Sequence, residues 1–154
     1  MAKTLSRAGG RRGAFVTLRD MGINRYASAA FGLGRVAFGA YALARPSELG
    51  ATWIGKRPAG RKPVTVILRA LGVRDVALGA GTVAASFTGH HAPWLAAGVA
   101  ADLGDLTATL AGRDYLPEEG VRGTVVLTAV ASAAGAALIL SRAAGARSES
   151  ADRP

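Results

Sequence analysis

Five charged side chains stand where charge is costly. Arg35, Arg74, Asp75, Asp102 and Asp105 lie inside otherwise apolar runs of the chain. Asp102 and Asp105 are three residues apart, so on a helix they share one face with Gly98 and Thr109. Arginine presents a planar fork that pairs bidentately with a carboxylate. An Arg35/Arg74 clamp on Asp102 and Asp105 brings most of this charge near neutrality and leaves one acid in excess. Such a cluster has a structural use, fixing helix register, and this is the reading preferred. Its functional use is a proton, ion or polar-substrate site built on the excess acid, the usual suspicion for a carboxylate at membrane depth. In a third arrangement a partner subunit supplies the missing charge.

The remaining candidates are weaker. His90-His91 is an adjacent pair with no carboxylate close by and reads as a solvated turn rather than a metal site. Gly32-x-Gly34 and Gly79-x-Gly81 lack the strand–turn–helix setting of a dinucleotide loop and read as packing glycines. Asp114, Glu118 and Glu119 form an acidic, solvated turn. With no cysteine there is no thiol redox chemistry and no cysteine-ligated zinc or iron–sulfur site. No Ser/His/Asp arrangement is present either, so no enzyme activity, catalytic residue, cofactor or metal is expected.

The elements that position the five charges are four apolar segments, 27–44, 64–87, 93–111 and 123–141. A helix needs about 20 mostly apolar residues to cross a bilayer core of roughly 30 Å. Segment 123–141 meets that with no charge at all; the others meet it only if their charges find partners. Depth supports such partnering. Measured from the face that carries Tyr26, Phe87 and Pro93, Arg35 lies at about 13 Å, Asp75 and Arg74 at about 18–20 Å, and Asp102 and Asp105 at about 13–18 Å. Arg69, at about 27 Å, reaches the opposite interface and snorkels. The expectation is therefore an all-α, four-helix integral membrane bundle, up-down-up-down, over residues 25–142. A basic segment, 1–24, precedes it and a disordered tail, 143–154, follows.

Punctuation and composition agree with that division. Arg45-Pro46 ends the first segment, Pro63 and Pro93 sit at the starts of the second and third, and residues 88–92 allow only a tight helical hairpin. The 45–63 and 112–122 stretches are loops, and 13–23 is a short basic piece lying on the membrane surface or a flexible lead-in. Glycine and alanine fill all four segments, with small-xxx-small pairs at Ala77/Gly81 and Ala131/Gly135 that let helices approach in lipid. The chain is 50% hydrophobic and only 19% charged, which excludes a disordered protein. Its net charge of +9 is gathered in residues 1–25 and 45–63, flanking apolar runs, which suits anionic lipid rather than nucleic acid. Tyr26 and Trp94 would lie at one membrane face, Trp53 and Tyr115 at the other. The termini and hairpin carry nine Lys/Arg against seven on the other side, which leans toward cytoplasmic termini. No cleavable signal peptide is expected.

The segments LGRVAFGAYALARP (33–46), RALGVRDVALGAGTVAA (69–85) and AAGVAADLGDLTATLAGRDYLP (96–117) resemble the domain of unknown function 4267 family. That family of small bacterial membrane proteins is similar to the wider DoxX-like group. The likeness covers roughly residues 25–142 and is most specific at Gly72-Val73-Arg74-Asp75, Leu78-Gly79 and the Asp102/Asp105 pair. It implies a four-helix protein of the bacterial inner membrane with no assigned activity. DoxX-like relatives are linked to membrane redox complexes, but no quinone or thiol motif here carries that role across; a membrane-protein partner or a homo-oligomer, as in the arrangement where a second subunit supplies the missing charge, is a separate expectation.

Overall fold

A computed structural model describes the backbone of residues 7–151 and the side chains of residues 23–144 together with Arg147. The described chain is all helical: α1 (Arg7–Ala44), α2 (Pro46–Trp53), α3 (Lys56–Ala59), α4 (Lys62–Thr88), α5 (Ala92–Ala111), a 3₁₀ turn (Arg113–Tyr115) and α6 (Glu118–Ala151). Proline sets several starts. Pro46 opens α2 one residue after Arg45 breaks α1, and α4 and α5 likewise carry proline in their first turn, where the missing N–H costs least. Gly89, at φ 76°, closes α4 in the left-handed conformation, and α5 begins three residues later.

Two expectations are corrected. The 45–63 stretch is not an open loop: α2 and α3 fold back, and α2 rests on α1, α4 and α6. Gly50 makes this possible, because a Cβ there would stand 2.6 Å from Leu68 Cδ1. Nor is 143–151 an unstructured tail, since α6 continues to Ala151; its four alanines, Arg147 and Glu149 are good helix formers and outnumber Gly145 and the two serines. Residues 1–6 and 152–154 lie outside the described residues. So do the side chains of 13–22, on which the surface-helix expectation rests; their backbone is part of α1.

The four long helices form a ring: α1 against α4 and α6, and α5 against α4 and α6. The α1–α4 seam is the tightest, and glycines make it so. Gly39 faces Gly72 and Gly32 faces Gly79, so that a Cβ on Gly39 would lie 2.6 Å from the Gly72 carbonyl oxygen and one on Gly72 2.7 Å from that of Gly39. Rising numbers on α1 meet falling numbers on α4, so the two run antiparallel. The working interval is seven residues, two helical turns, rather than the four of the small-xxx-small pairs. Of those pairs, Gly135 does pack on Val99 of α5, and Gly81 lies under the Trp94 ring.

Side chains partition in an unusual direction. The buried hydrophobic residues are Ala29, Ala42, Ala59, Leu68, Ala85 and Leu95, mostly alanine. Buried beside them are Ser28, Asp75, Thr82, Ser86, His91, Asp102, Thr109 and Thr128. The hydroxyls of Thr82, Ser86, Thr109 and Thr128 each donate to the carbonyl one turn back on their own helix. Bulky apolar residues point outward instead, among them Leu33, Ile67, Val73, Leu103, Val130 and Leu140. Along 30–44, 64–87, 93–110 and 123–140 the one exposed charged residue is Arg69. Two helical stretches, Ile23–Ala44 and Glu118–Ala144, are long and apolar enough to cross a membrane by length and composition. The charges of α4 and α5 keep those helices out of that class.

Candidate functional site: an ion-pair chain on the floor of a cavity

The five charged residues meet where α1, α4 and α5 adjoin. Arg35 Nη1 donates to Asp75 Oδ1 at 2.9 Å, and Arg35 Nη2 donates to Asp102 Oδ2 at 2.5 Å. Arg74 grips Asp105 bidentately, Nη1 to Oδ1 at 2.9 Å and Nη2 to Oδ2 at 2.7 Å. A longer contact of 3.4 Å joins Arg74 Nη2 to Asp75 Oδ1. The order is Asp102–Arg35–Asp75–Arg74–Asp105, an alternation of charge with an acid at each end. Arg35 and Arg74 thus hold Asp102 and Asp105 respectively, and Asp75 in addition sits between the two arginines and links them.

Local sequence explains the geometry. Arg35 lies between Gly32 and Gly39, and Asp75 between Gly72 and Gly79, so the two glycine contacts bracket the bridge. Backbones that close let a short aspartate reach across. On the other side the Arg35 guanidinium lies against Gly98, with Nη2 3.5 Å from its carbonyl oxygen. Asp102 is one turn beyond Gly98, and Asp105 is three residues further, where it meets Arg74. Burial is graded along the chain. The side chains of Arg35, Asp75 and Asp102 are 8%, 4% and 9% exposed, whereas those of Arg74 and Asp105 are 34% and 22% exposed.

A cavity of about 850 Å³ lies against this chain. Arg35, Asp75, Asp102 and Asp105 form its polar floor, while Phe31, Phe38, Leu71 and Leu127 are among its walls. Thr52 and Trp53 of α2, with Pro117, Glu119 and Gly120 at the start of α6, border it at the end away from the α4–α5 link. Trp53 is held there by its indole N–H, which donates to Thr109 Oγ1 at 3.1 Å. Trp53, expected at a membrane interface, is half-buried here, and Glu119, expected in a solvated acidic turn, is exposed. Both line the cavity. No sequence signal marks them, because their position depends on how α2 folds back.

The histidine pair divides. His90 is exposed, but His91 is buried, which corrects the reading of both as a solvated turn. Asn24 of α1 is the reason. Its Oδ1 lies 2.9 Å from His91 Nε2, while its Nδ2 donates to the Leu138 carbonyl at 3.1 Å and to Ser141 Oγ at 2.5 Å. An amide oxygen only accepts, so neutral His91 carries its proton on Nε2. Burial, with a smaller contribution from nearby Arg142, lowers the His91 pKa below its usual value. Arg142 also donates to the Gly89 carbonyl, tying α6 to the α4–α5 link. Among the described residues no group of three or more His, Cys, Asp or Glu is arranged to hold a metal ion.

No protein-family model, curated protein or solved structure matches this chain.

Proposed function

We propose that the protein is a multi-pass integral membrane protein of the bacterial inner membrane, with α1, α4, α5 and α6 as four spans in up-down-up-down order and both termini cytoplasmic. The observation that carries this reading is the inverted partition of side chains. Serine, threonine, aspartate and alanine fill the inside, and valine, leucine and isoleucine cover the outside. In water such a surface would leave large apolar patches exposed, whereas lipid is the solvent that suits it. The glycine contacts between α1 and α4 fit the same account, because helices in lipid associate through close backbone packing. The lone exposed Arg69 is near enough to Lys62 and the basic 45–63 stretch to reach head groups.

Within the bundle the ion-pair chain has a structural role, tying α1, α4 and α5 into one register. A second reading, a polar-solute or proton-linked site that uses Asp102 or Asp105, draws support from the cavity that both residues line. An accessory role beside a membrane oxidoreductase rests on the family resemblance alone, and a homo-oligomer or membrane-protein partner rests on the one acid in excess within the ion-pair chain. The bilayer itself is the partner this account requires. Alkaline carbonate washing of membranes that contain the protein tests it: the chain should stay in the pellet and leave only with detergent. Release by carbonate or by high salt would overturn the four-span reading.

A further inference from the structure

We infer that the cavity takes a lipophilic organic monocation, a protonated amine carried on an apolar body. This deepens the solute-site reading and rests on it. The floor has acceptors to spare. Asp75 receives both of its arginine contacts on Oδ1, and Asp102 receives its contact on Oδ2. Asp75 Oδ2 and Asp102 Oδ1 therefore accept no hydrogen bond from any described residue, although both side chains are more than nine-tenths buried and both residues line the cavity. Both oxygens keep some accessible surface, so an N–H of a bound ligand can reach them.

The charge inventory selects the sign. Three aspartates and two arginines leave the ion-pair chain one negative charge in excess, and Glu119 adds another acid at the rim. Arg35, the cation that faces the cavity, turns both terminal nitrogens to Asp75 and Asp102. A bound anion would meet four carboxylates. A monocation completes the alternation.

The walls select the body. Phe31, Phe38, Trp53, Leu71 and Leu127 present apolar and aromatic surface, which favours a hydrophobic cation through ring quadrupoles as well as burial. The volume of about 850 Å³ falls in the usual range for drug-sized ligands. Two glycines border open space in it. Gly34 and Gly123 line the cavity, and a Cβ at either would meet no atom within 4 Å, in contrast to the crowded Gly32 and Gly39. Helix packing does not require glycine at 34 or 123.

Calorimetric titration of the protein in an uncharged detergent tests this with three probes of similar shape: dibenzylammonium, neutral dibenzyl ether and anionic diphenylacetate. The ammonium should bind about tenfold more tightly than the ether, and the carboxylate should give no measurable heat. Gly34→Leu, which fills space beside Arg35, should weaken ammonium binding by at least about tenfold and leave the melting temperature unchanged. Gly123→Leu should do the same from α6, so the test survives if one variant misfolds. Asp102→Asn should reduce binding of the ammonium and spare the ether. Equal affinity for ammonium and ether, preference for the carboxylate, or full binding in folded Gly34→Leu and Gly123→Leu would each overturn the inference. Carbonate release of the protein would refute the bilayer reading by itself; the titration is done on purified protein and is judged separately.

Discussion

Removing Arg35 should damage this protein more than removing any other member of the ion-pair chain. Arg35→Met keeps length and an apolar stem but leaves Asp102 with no cation and Asp75 with only the 3.4 Å contact to Arg74. All three side chains of the Asp102–Arg35–Asp75 group are under 10% exposed, so the loss resembles the breaking of a buried pair, about 3–5 kcal/mol. For a chain of this length about 2–4 °C accompanies each kcal/mol, so melting in detergent, followed by circular dichroism, should fall by roughly 10 °C. Arg74→Met should cost clearly less, because Asp75 keeps Arg35 and the side chains of the Arg74–Asp105 pair are 34% and 22% exposed. The combined Arg35→Met, Asp75→Leu, Asp102→Leu variant should regain most of the lost stability, since the desolvation cost leaves with the charges. An Arg35→Met variant that melts no lower than Arg74→Met, or a triple variant that recovers nothing, would refute the reasoning.

Two further expectations concern the seams. Gly39→Val should destabilise by about 1–3 kcal/mol, because its side chain would press on backbone atoms of α4 that cannot move aside, while Gly34→Ala should be neutral or slightly stabilising; paired melting curves check both. His91 should make stability fall with acid. Burial lowers its folded pKa below the usual 6.5, so the unfolded chain takes the proton more readily; stability is full above pH 6.5 and declines as the pH drops through that value. His91→Gln should flatten that decline and His90→Gln should leave it intact, as seen in melting temperatures between pH 7.5 and 5.

The residues of the site were legible in the sequence, but not their pairing. Depth along a helix follows from its rise alone, which is why Arg35, Asp75 and Asp102 could be assigned to one slab. Which arginine meets which aspartate depends on rotation about each helix axis, and the glycine contacts at 32/79 and 39/72 set that rotation for α1 and α4. Those glycines were visible, yet a seven-residue interval is less distinctive than a four-residue one in a chain with 21 glycines. The cavity was not legible, since its rim includes Trp53 on α2, a helix that proline and charge disguised as a loop. The burial of His91 is illegible for a similar reason: its partner, Asn24, is 67 residues away, and nothing local to the His90-His91 pair announces it.

Because the chain contains no cysteine, single substituted cysteines test the membrane account most directly. Cysteine placed at Arg57, His90, Arg113, Val73, Leu103 or Val130 is exposed on the surface of the fold in every case. Labelling with a membrane-impermeant maleimide, in intact cells and in lysed ones, separates lipid from water. The account predicts that positions 57 and 113 react from one side, position 90 from the other, and that positions 73, 103 and 130 stay unreactive until detergent with denaturant is added. Reaction at 73, 103 and 130 as fast as at the helix ends in native membranes would contradict it.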